Sequence, residues 1–253
     1  MGGGTVKLAL IPPIKHLDFT DKSDMQLMLP QLLRNGVYAD KYSEHLVKRR
    51  YMILDNGAAE GEKWSFQQLG IIAREYSVNE IVLPDVMGDA TATFDLAFDA
   101  IGSMGDWSIR PKYGVVATGK SEQEAYSLVN DIFEYFPSIP VIYIPRLLIT
   151  RHNLMARINL ASQLHKLLPE VEIHFLGASP YYTNEILAAA RLGFVRSMDT
   201  SMPFSYAAQN VRVDAGYWLN RPDHYFNLEL NEEQLETAKY NVYKMQRWAD
   251  GRA

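Results

Sequence analysis

Residues 51–65 read YMILDNGAAEGEKWS, an apolar run that stops at Asp55 and breaks into Asn56-Gly57. Asn-Gly is a strong signal for a β-hairpin, but a hairpin needs a second apolar strand directly after the turn. A polar segment follows here instead, and then a helical pattern that begins at Ser65. This stretch therefore predicts a buried strand, a loop and a helix, which together form the repeating unit of a parallel sheet.

The same unit recurs along most of the chain. Seven short runs are almost continuously apolar, as expected of strands that are covered on both faces of a parallel sheet. They are Val6–Ile11, Tyr51–Leu54, Glu80–Leu83, Tyr113–Ala117, Val141–Ile144, Val171–Leu176 and Phe194–Met198. Helical patterns with recognisable ends lie between or after them: Ser65 to about Tyr76, Ser121 to about Phe136, about Thr150 to Leu168, Thr183 to Leu192, and a last helix capped by Asn231.

Strand–helix alternation of this regularity predicts an α/β fold, either a (β/α)8 TIM barrel or a doubly wound open sheet. The number of strand candidates favours the barrel, and no Gly-rich phosphate fingerprint follows an early strand, which argues against a dinucleotide-binding sheet. We expect the eighth strand within Val211–Leu219 or Tyr225–Leu230, so the barrel is expected to be irregular there. Residues 5–253 are predicted to form a single domain that ends in the C-terminal helix.

The composition excludes several classes of protein. The 253 residues include no cysteine, which excludes disulfides, thiolate zinc sites and a cysteine nucleophile. The net charge of -5 argues against a protein coated by nucleic acid, although a local basic patch remains open. The basic triplet Lys48-Arg49-Arg50 is interpreted as a helix end rather than a phosphate contact. No apolar run approaches the roughly 20 residues of a membrane span, and no signal-peptide pattern is present, so a cytoplasmic protein is expected.

Three acids lie where predicted strands end. Asp55 follows the second run, Asp85 follows the third, and Asp199 follows the seventh. In a TIM barrel, residues at these strand ends meet in one active site. Asp is also a preferred helix N-cap, and Asp89 and Asp18 are interpreted as cap or loop acids. Asp55 and Asp85 lie too many residues before the next helix to cap it, so a shared pocket is predicted.

Converging carboxylates suit more than one chemistry. They bind hard divalent metals, and they serve as nucleophile and acid/base in glycosyl transfer. The six histidines contain no His-x-His pair, and no Gly-x-Ser-x-Gly elbow occurs, which argues against amidohydrolase-type zinc chemistry and a serine triad. A glycosyl-transfer enzyme and a divalent-metal lyase, hydrolase or phosphodiesterase both stay open on the basis of these residues.

The chain resembles the tRNA-guanine transglycosylase (queuine tRNA-ribosyltransferase) superfamily in five ordered segments. These are LDNGA at 54–58, LPDVMGD at 83–89, KYGVVATG at 112–119, HFLGAS at 174–179 and SMDTS at 197–201. The resemblance covers about residues 5–205 and implies base exchange at a nucleic acid by a barrel enzyme that needs no metal or other cofactor. A transglycosylase or N-glycosidase is therefore one hypothesis, and a non-catalytic barrel that binds nucleobases or nucleic acid stays open beside it and the metal-dependent enzyme. The target base would have to leave its stack to reach the pocket.

The resemblance also implies roles for individual residues. Asp199 would attack C1′ of a guanosine nucleotide to form a covalent glycosyl-enzyme. Asp55 would carry protons for the departing and incoming bases, and Asp85 would accept hydrogen bonds from the base. Gly177 would let the backbone approach the base, which Leu176 and Tyr181 would pack against. The complete predicted substrate-binding set is Asp85, Asn56, Gly57, Leu176, Gly177 and Arg146.

The departures from the family pattern favour one branch of it. Without cysteines the chain lacks the zinc subdomain of the tRNA enzymes, and Ala117-Thr118 replaces a glutamine. Ile144-Pro145-Arg146 replaces a Gly-Gly strand end, and Arg146 is predicted to pair either with a phosphate or with an acid. The pattern is most similar to compact DNA 7-deazaguanine transglycosylases of phages and bacteria. DNA is therefore favoured over tRNA, a phage-encoded protein would act in the host cytoplasm, and a homodimer or an auxiliary protein stays open.

Overall fold

Eight parallel strands form one sheet that curls into a nearly closed barrel. The computed structural model describes residues 4–106, 111–148, 153–179 and 184–253, and the strands are counted within these ranges. Their order around the sheet is β1-β8-β7-β6-β5-β4-β3-β2. They span Lys7–Leu10 (β1), Gln26–Met28 (β2), Met52–Leu54 (β3), Glu80–Val82 (β4), Lys112–Val116 (β5), Val141–Pro145 (β6), Glu172–Leu176 (β7) and Val195–Thr200 (β8). The predicted α/β TIM barrel is confirmed.

Eight α-helices lie in the same described ranges. They span Gly36–Val47 (α1), Phe66–Glu75 (α2), Ala90–Gly102 (α3), Glu122–Tyr135 (α4), Ala156–Leu167 (α5), Glu185–Leu192 (α6), Met202–Ala207 (α7) and Glu232–Ala249 (α8). Capping boxes start α2 at Ser65 and α8 at Asn231, as predicted. The predicted starts at Thr150 and Thr183 lie outside the described residues. In no described helix does an apolar stretch reach the length that a bilayer span needs.

The predicted position of the eighth strand is wrong. That strand is β2, Gln26–Met28, which lies between β1 and β3 in the chain. Neither Val211–Leu219 nor Tyr225–Leu230 forms a strand; the second contains only a short 3-10 turn. Three residues are too few to show a recognisable period, and a 3-10 segment rather than an α-helix connects β1 to β2.

The barrel closes between β1 and β2 through an irregular seam. The amides of Asp24 and Met25 both donate to the Leu8 carbonyl, at 3.0 and 3.4 Å. In the opposite direction, the Leu8 amide donates to the Asp24 carboxylate at 3.0 Å, and the Leu10 amide donates to Ser23 Oγ at 2.9 Å. Side chains thus satisfy β1 amides that a regular ladder would pair with backbone carbonyls.

The C-terminal helix α8 packs against the barrel's own helices α6 and α7. Asn241 on α8 is fully buried and accepts a hydrogen bond from the Val213 amide at 3.0 Å. Its amide nitrogen donates to the carbonyls of Pro203 and Val211, at 3.0 and 3.1 Å. The Val6 amide donates to the Ala249 carbonyl, so the end of α8 is also tied to the start of β1.

Candidate active site

The three acids singled out in the sequence line one cavity at the carboxyl ends of the strands. Asp55 directly follows β3, Asp85 follows β4, and Asp199 is the penultimate residue of β8. Four further predicted site residues also line this cavity: Asn56, Arg146, Leu176 and Gly177. The expected convergence at the barrel mouth therefore holds for seven of the eight predicted residues.

Gly57 does not line the cavity; its backbone amide holds the Asp55 side chain in one orientation. The Gly57 amide donates to Asp55 Oδ2 at 3.0 Å, which folds the side chain back over the turn. Gly57 has φ of +77°, a conformation that only glycine adopts without strain. A Cβ there would also lie 3.0 Å from atoms of Glu62 and Trp64. The Asn-Gly pair that suggests a hairpin thus fixes the direction of a buried carboxyl group.

Asp55 lies in surroundings that favour its protonated form. Its side chain is only 6% exposed. Burial raises the pKa of Asp55 to about 8, and the nearby charges of Glu60, Asp199 and Asp85 contribute, against a lowering effect of the Gly57 amide. Near neutral pH both protonation states of Asp55 are therefore accessible, as acid–base catalysis requires.

Asp85 is held by Asn56. The Asn56 side-chain nitrogen donates to Asp85 Oδ1 and to the Leu83 carbonyl, both at 2.7 Å. Burial raises the pKa of Asp85 to about 6, and the Asn56 hydrogen bond opposes that rise. Asp85 is therefore mainly ionised at neutral pH, and Asn56 links the ends of β3 and β4. Asp89, in contrast, caps α3 by accepting the Ala92 amide, as its cap interpretation predicts.

One oxygen of Asp199 accepts a hydrogen bond from a backbone amide and faces a histidine nitrogen. Its Oδ1 accepts the Gly177 amide at 2.9 Å and lies 3.2 Å from His174 Nε2. Among the described residues, none donates a hydrogen bond to Asp199 Oδ2. Asp199 is 5% exposed and borders the cavity, whereas His174 is fully buried behind it. The carboxylate is thus fixed in one orientation with its second oxygen available to a ligand.

His174 is the site residue that sequence reasoning missed. The sequence placed His174 inside the predicted strand Val171–Leu176, which is confirmed, but it did not predict a contact with Asp199. The sequence carried only part of the signal: it shows Ser197 and Asp199 two residues apart in one strand, whereas the register that pairs His174 with Ser197 is known only from the structure. Because side chains alternate along a strand, that spacing places Ser197 and Asp199 on the same face.

A buried ion pair holds the loop that supplies the Gly177 amide. Arg157 on α5 and Glu185 on α6 are 0% and 1% exposed and form a bidentate pair. The Arg157 guanidinium also donates to the carbonyls of Ile144, Leu176 and Gly177, at 3.1, 2.9 and 2.7 Å. One side chain therefore ties the ends of β6 and β7 together beside the pocket. The sequence contains no local signal for this pair, because its partners lie 28 residues apart on two helices.

Two arginines stand at the mouth of the cavity. Arg221 donates from both terminal nitrogens to Glu60 Oε1, at 3.1 Å each. Arg146 has no ion pair with any described residue, and its stem lies against Gly177, where a Cβ would come within 3.2 Å of Arg146 Cδ. Burial and the charge of Arg221 lower the pKa of Arg146, while Asp199 opposes this. The sequence left two partners open for Arg146, a phosphate or an acid. Among the described residues, Arg146 forms no ion pair with an acid. Tyr181, the other residue expected near the base, lies outside them.

The described residues contain no cluster of three or more His, Asp or Glu side chains with the geometry of a metal site. Asp55, Asp85 and Asp199 therefore line one cavity without forming such a cluster. A scan against protein families finds no match to this chain, and neither does a search of curated proteins.

Proposed function

We propose that the protein is a base-exchange glycosyltransferase that replaces guanine in a nucleic acid with a 7-deazaguanine base through a covalent Asp199 glycosyl-enzyme. One observation supports this above the others: three carboxyl groups in one cavity have three different environments. Asp55 has a pKa of about 8, Asp85 a pKa of about 6, and Asp199 is anchored through a single oxygen. Environments that separate the behaviour of neighbouring acids divide acid–base and nucleophilic roles between them.

In the first half-reaction, Asp199 Oδ2 attacks C1′ of the target nucleotide. The C1′–N9 bond breaks, and its electron pair leaves with the guanine. Protonated Asp55 gives its proton to the departing base, which leaves as neutral guanine, and the sugar remains bound to Asp199 as an ester. Splitting the exchange into two displacements at C1′ retains the configuration of the sugar.

In the second half-reaction, a 7-deazaguanine base occupies the emptied pocket. Ionised Asp55 takes the proton from N9 of the incoming base, and this nitrogen attacks C1′. The ester bond to Asp199 breaks, which restores the free carboxylate, while Asp55 regains the proton that it lost. The cycle needs no outside acid or base, which suits a carboxyl group whose pKa lies near neutrality.

The remaining pocket residues recognise the substrate in this proposal. Asp85, ionised and oriented by Asn56, accepts hydrogen bonds from the N–H groups on the edge of the base. Gly177, without a side chain, lets the base approach the backbone, and Leu176 supplies apolar surface. Arg146, which has no described acidic partner, binds a phosphate of the nucleic acid.

The experiment that tests this function offers the purified protein duplex DNA and tRNA in parallel, each with labelled guanine and labelled 7-deazaguanine bases. We expect label in DNA and not in tRNA, because the chain has no cysteines and so no zinc subdomain of the tRNA enzymes. Label in tRNA alone would retain the chemistry and overturn the DNA assignment. Activity that appears only with an added divalent metal, without base exchange, would favour the metal-dependent hypothesis.

Substitution of the two acids tests the mechanism directly. Asp199→Asn should lower exchange by roughly 10⁴-fold or more, because the nucleophile is lost. Asp55→Asn should lower it by roughly 10²- to 10⁴-fold, the usual contribution of a general acid–base. Asp89→Asn is the matched control, because it changes an exposed helix cap into another favoured cap.

When no incoming base is present, wild type and the control Asp89→Asn should form a covalent adduct with guanine-containing DNA, Asp55→Asn should form it slowly, and Asp199→Asn should form none. Circular dichroism confirms that each variant is folded. Full exchange activity in Asp199→Asn would remove the covalent mechanism.

A further inference from the structure

A line of polar side chains crosses the interior of the barrel and ends at Asp199. Arg196 Nε donates to Ser197 Oγ at 2.9 Å, and Ser197 Oγ lies 2.7 Å from His174 Nδ1. His174 Nε2 in turn lies 3.2 Å from Asp199 Oδ1. Ser197 and His174 are both fully buried, so bulk water does not compete for these contacts.

A β-bulge brings Arg196 and Ser197 to the same histidine. Ile173 pairs with Val195, whereas the next residue of β7, His174, pairs with Ser197, so Arg196 is the extra residue on β8. Such a bulge bends the strand and redirects side chains that would otherwise alternate. Both Arg196 and Ser197 can therefore take part in one hydrogen-bonded line.

The far end of the line is fixed by Glu80, which is fully buried at the start of β4. Arg196 donates to both Glu80 oxygens, at 2.7 and 2.9 Å. The hydroxyl groups of Tyr51 and Tyr143 also donate to Glu80. Burial alone would raise the pKa of Glu80, but Arg196 outweighs it and keeps that pKa below its usual value. Arg196 is thus a charged donor with a fixed direction.

The direction of each hydrogen bond follows from the chemistry of its partners. A guanidinium can only donate, so Ser197 Oγ accepts from Arg196. His174 Nδ1 is the only other described partner of this hydroxyl group, so the Ser197 proton is donated to it. His174 Nδ1 therefore carries no hydrogen, and the hydrogen of the neutral ring is on Nε2, where it donates to Asp199 Oδ1. In the other tautomer, a lone pair on Nε2 would face the carboxylate, and the Ser197 proton would have no acceptor among the described residues. Burial lowers the pKa of His174, in keeping with a neutral ring.

We propose that Arg196 and Ser197 lock His174 in the Nε2–H tautomer, and that His174 thereby positions Asp199 with Oδ2 free to attack. His174, Ser197 and Arg196 are positioning residues, because none of them borders the cavity. The attack by Oδ2 rests on the proposed function, whereas the tautomer of His174 does not. The two are therefore tested by separate measurements.

The first measurement is the tautomer itself. Nitrogen NMR of protein with ¹⁵N-labelled histidine, assigned by comparison with His174→Gln, reports which ring nitrogen carries a hydrogen. We expect one neutral species with hydrogen on Nε2 in the wild-type protein at neutral pH. A ring protonated on Nδ1, or on both nitrogens, would overturn the proposal whatever the activity of the enzyme.

The second measurement is the rate of exchange. His174→Leu and Ser197→Ala should lower kcat by about 10- to 100-fold, the range expected when a hydrogen bond to a charged group is lost or loosened. KM for the incoming base should stay within about twofold, because these side chains do not touch it. His174→Gln, which keeps a donor, and Ser197→Thr, which keeps the hydroxyl, should recover part of the loss.

The control is His165→Leu, because His165 stacks on Phe194 outside the barrel interior and should leave kcat unchanged. Equal loss in His174→Leu and His174→Gln, or a loss confined to KM, would overturn the positioning role. If NMR finds the hydrogen of His174 on Nε2 but the wild-type protein exchanges no base, the proposed tautomer of His174 stands and the proposed function is wrong.

Discussion

Asp55 illustrates how much one residue can depend on its surroundings. Its folded-state pKa of about 8 compares with an ordinary value of 3.8, so between about pH 4 and pH 8 the folded state keeps a proton that the unfolded state has released. The contribution of Asp55 to stability therefore falls as the pH rises through this range. Each pKa unit corresponds to ~1.4 kcal/mol.

Asp55→Asn should remove this pH dependence. Asparagine has nearly the same shape and keeps an acceptor for the Gly57 amide, but it cannot ionise. The free energy of unfolding is measured with urea at pH 5 and at pH 8.5. It should fall between these two pH values in wild type, and this fall should be smaller in the variant by on the order of a few kcal/mol. The control Asp89→Asn should follow the wild-type change, and an equal drop in wild type and Asp55→Asn would contradict the raised pKa.

At the scale of single elements, the sequence predicted seven strands because each is a continuous apolar run. It predicted Asp55, Asp85 and Asp199 together because their places at strand ends follow from the chain itself. It missed β2, which has only three residues. The segment just before β2 is joined to β1 by two backbone and two side-chain hydrogen bonds rather than by a regular ladder. Contacts of this kind depend on the three-dimensional arrangement of the chain, and no local sequence pattern predicts them. The same holds for His174 beside Asp199.

The ion pair between α5 and α6 is the clearest dependence of the site on its supporting helices. Arg157→Leu should destabilise the protein by about 3–5 kcal/mol, because Glu185 is left as an uncompensated buried charge. The carbonyls of Leu176 and Gly177 would lose their donor as well, so exchange activity should fall even where the variant is folded. Urea unfolding measures the first effect, and the rate of exchange measures the second.

The matched control is Lys239→Leu on α8, which breaks an exposed ion pair with Glu236. Exposed pairs of this kind contribute about 0–1 kcal/mol. The double variant Arg157→Leu with Glu185→Leu should recover much of the lost stability, because no lone charge remains buried. A loss in Arg157→Leu no larger than in the control would show that the pair does not hold the loop.

For the whole molecule, the seam between β1 and β2 is the place where the nearly closed sheet of the described strands lacks a regular ladder. Its closure uses Ser23, which is 4% exposed and gives the buried Leu10 amide its partner. Ser23→Ala should leave that amide without an acceptor and lower the free energy of unfolding by about 1–3 kcal/mol. The control Ser43→Ala removes an exposed hydroxyl on α1 and should change stability by less than about 0.5 kcal/mol.

Hydrogen exchange locates the effect within the barrel. In Ser23→Ala the Leu10 amide should lose more protection than the amides of Val116 and Ile142, which lie in regular ladders on the opposite side of the sheet. Since β1 also pairs with β8, which carries the proposed nucleophile Asp199, opening of the seam should loosen that strand and lower the proposed exchange activity. Uniform loss of protection across all three amides would mean that the barrel opens as one unit, and the seam would then have no separate role.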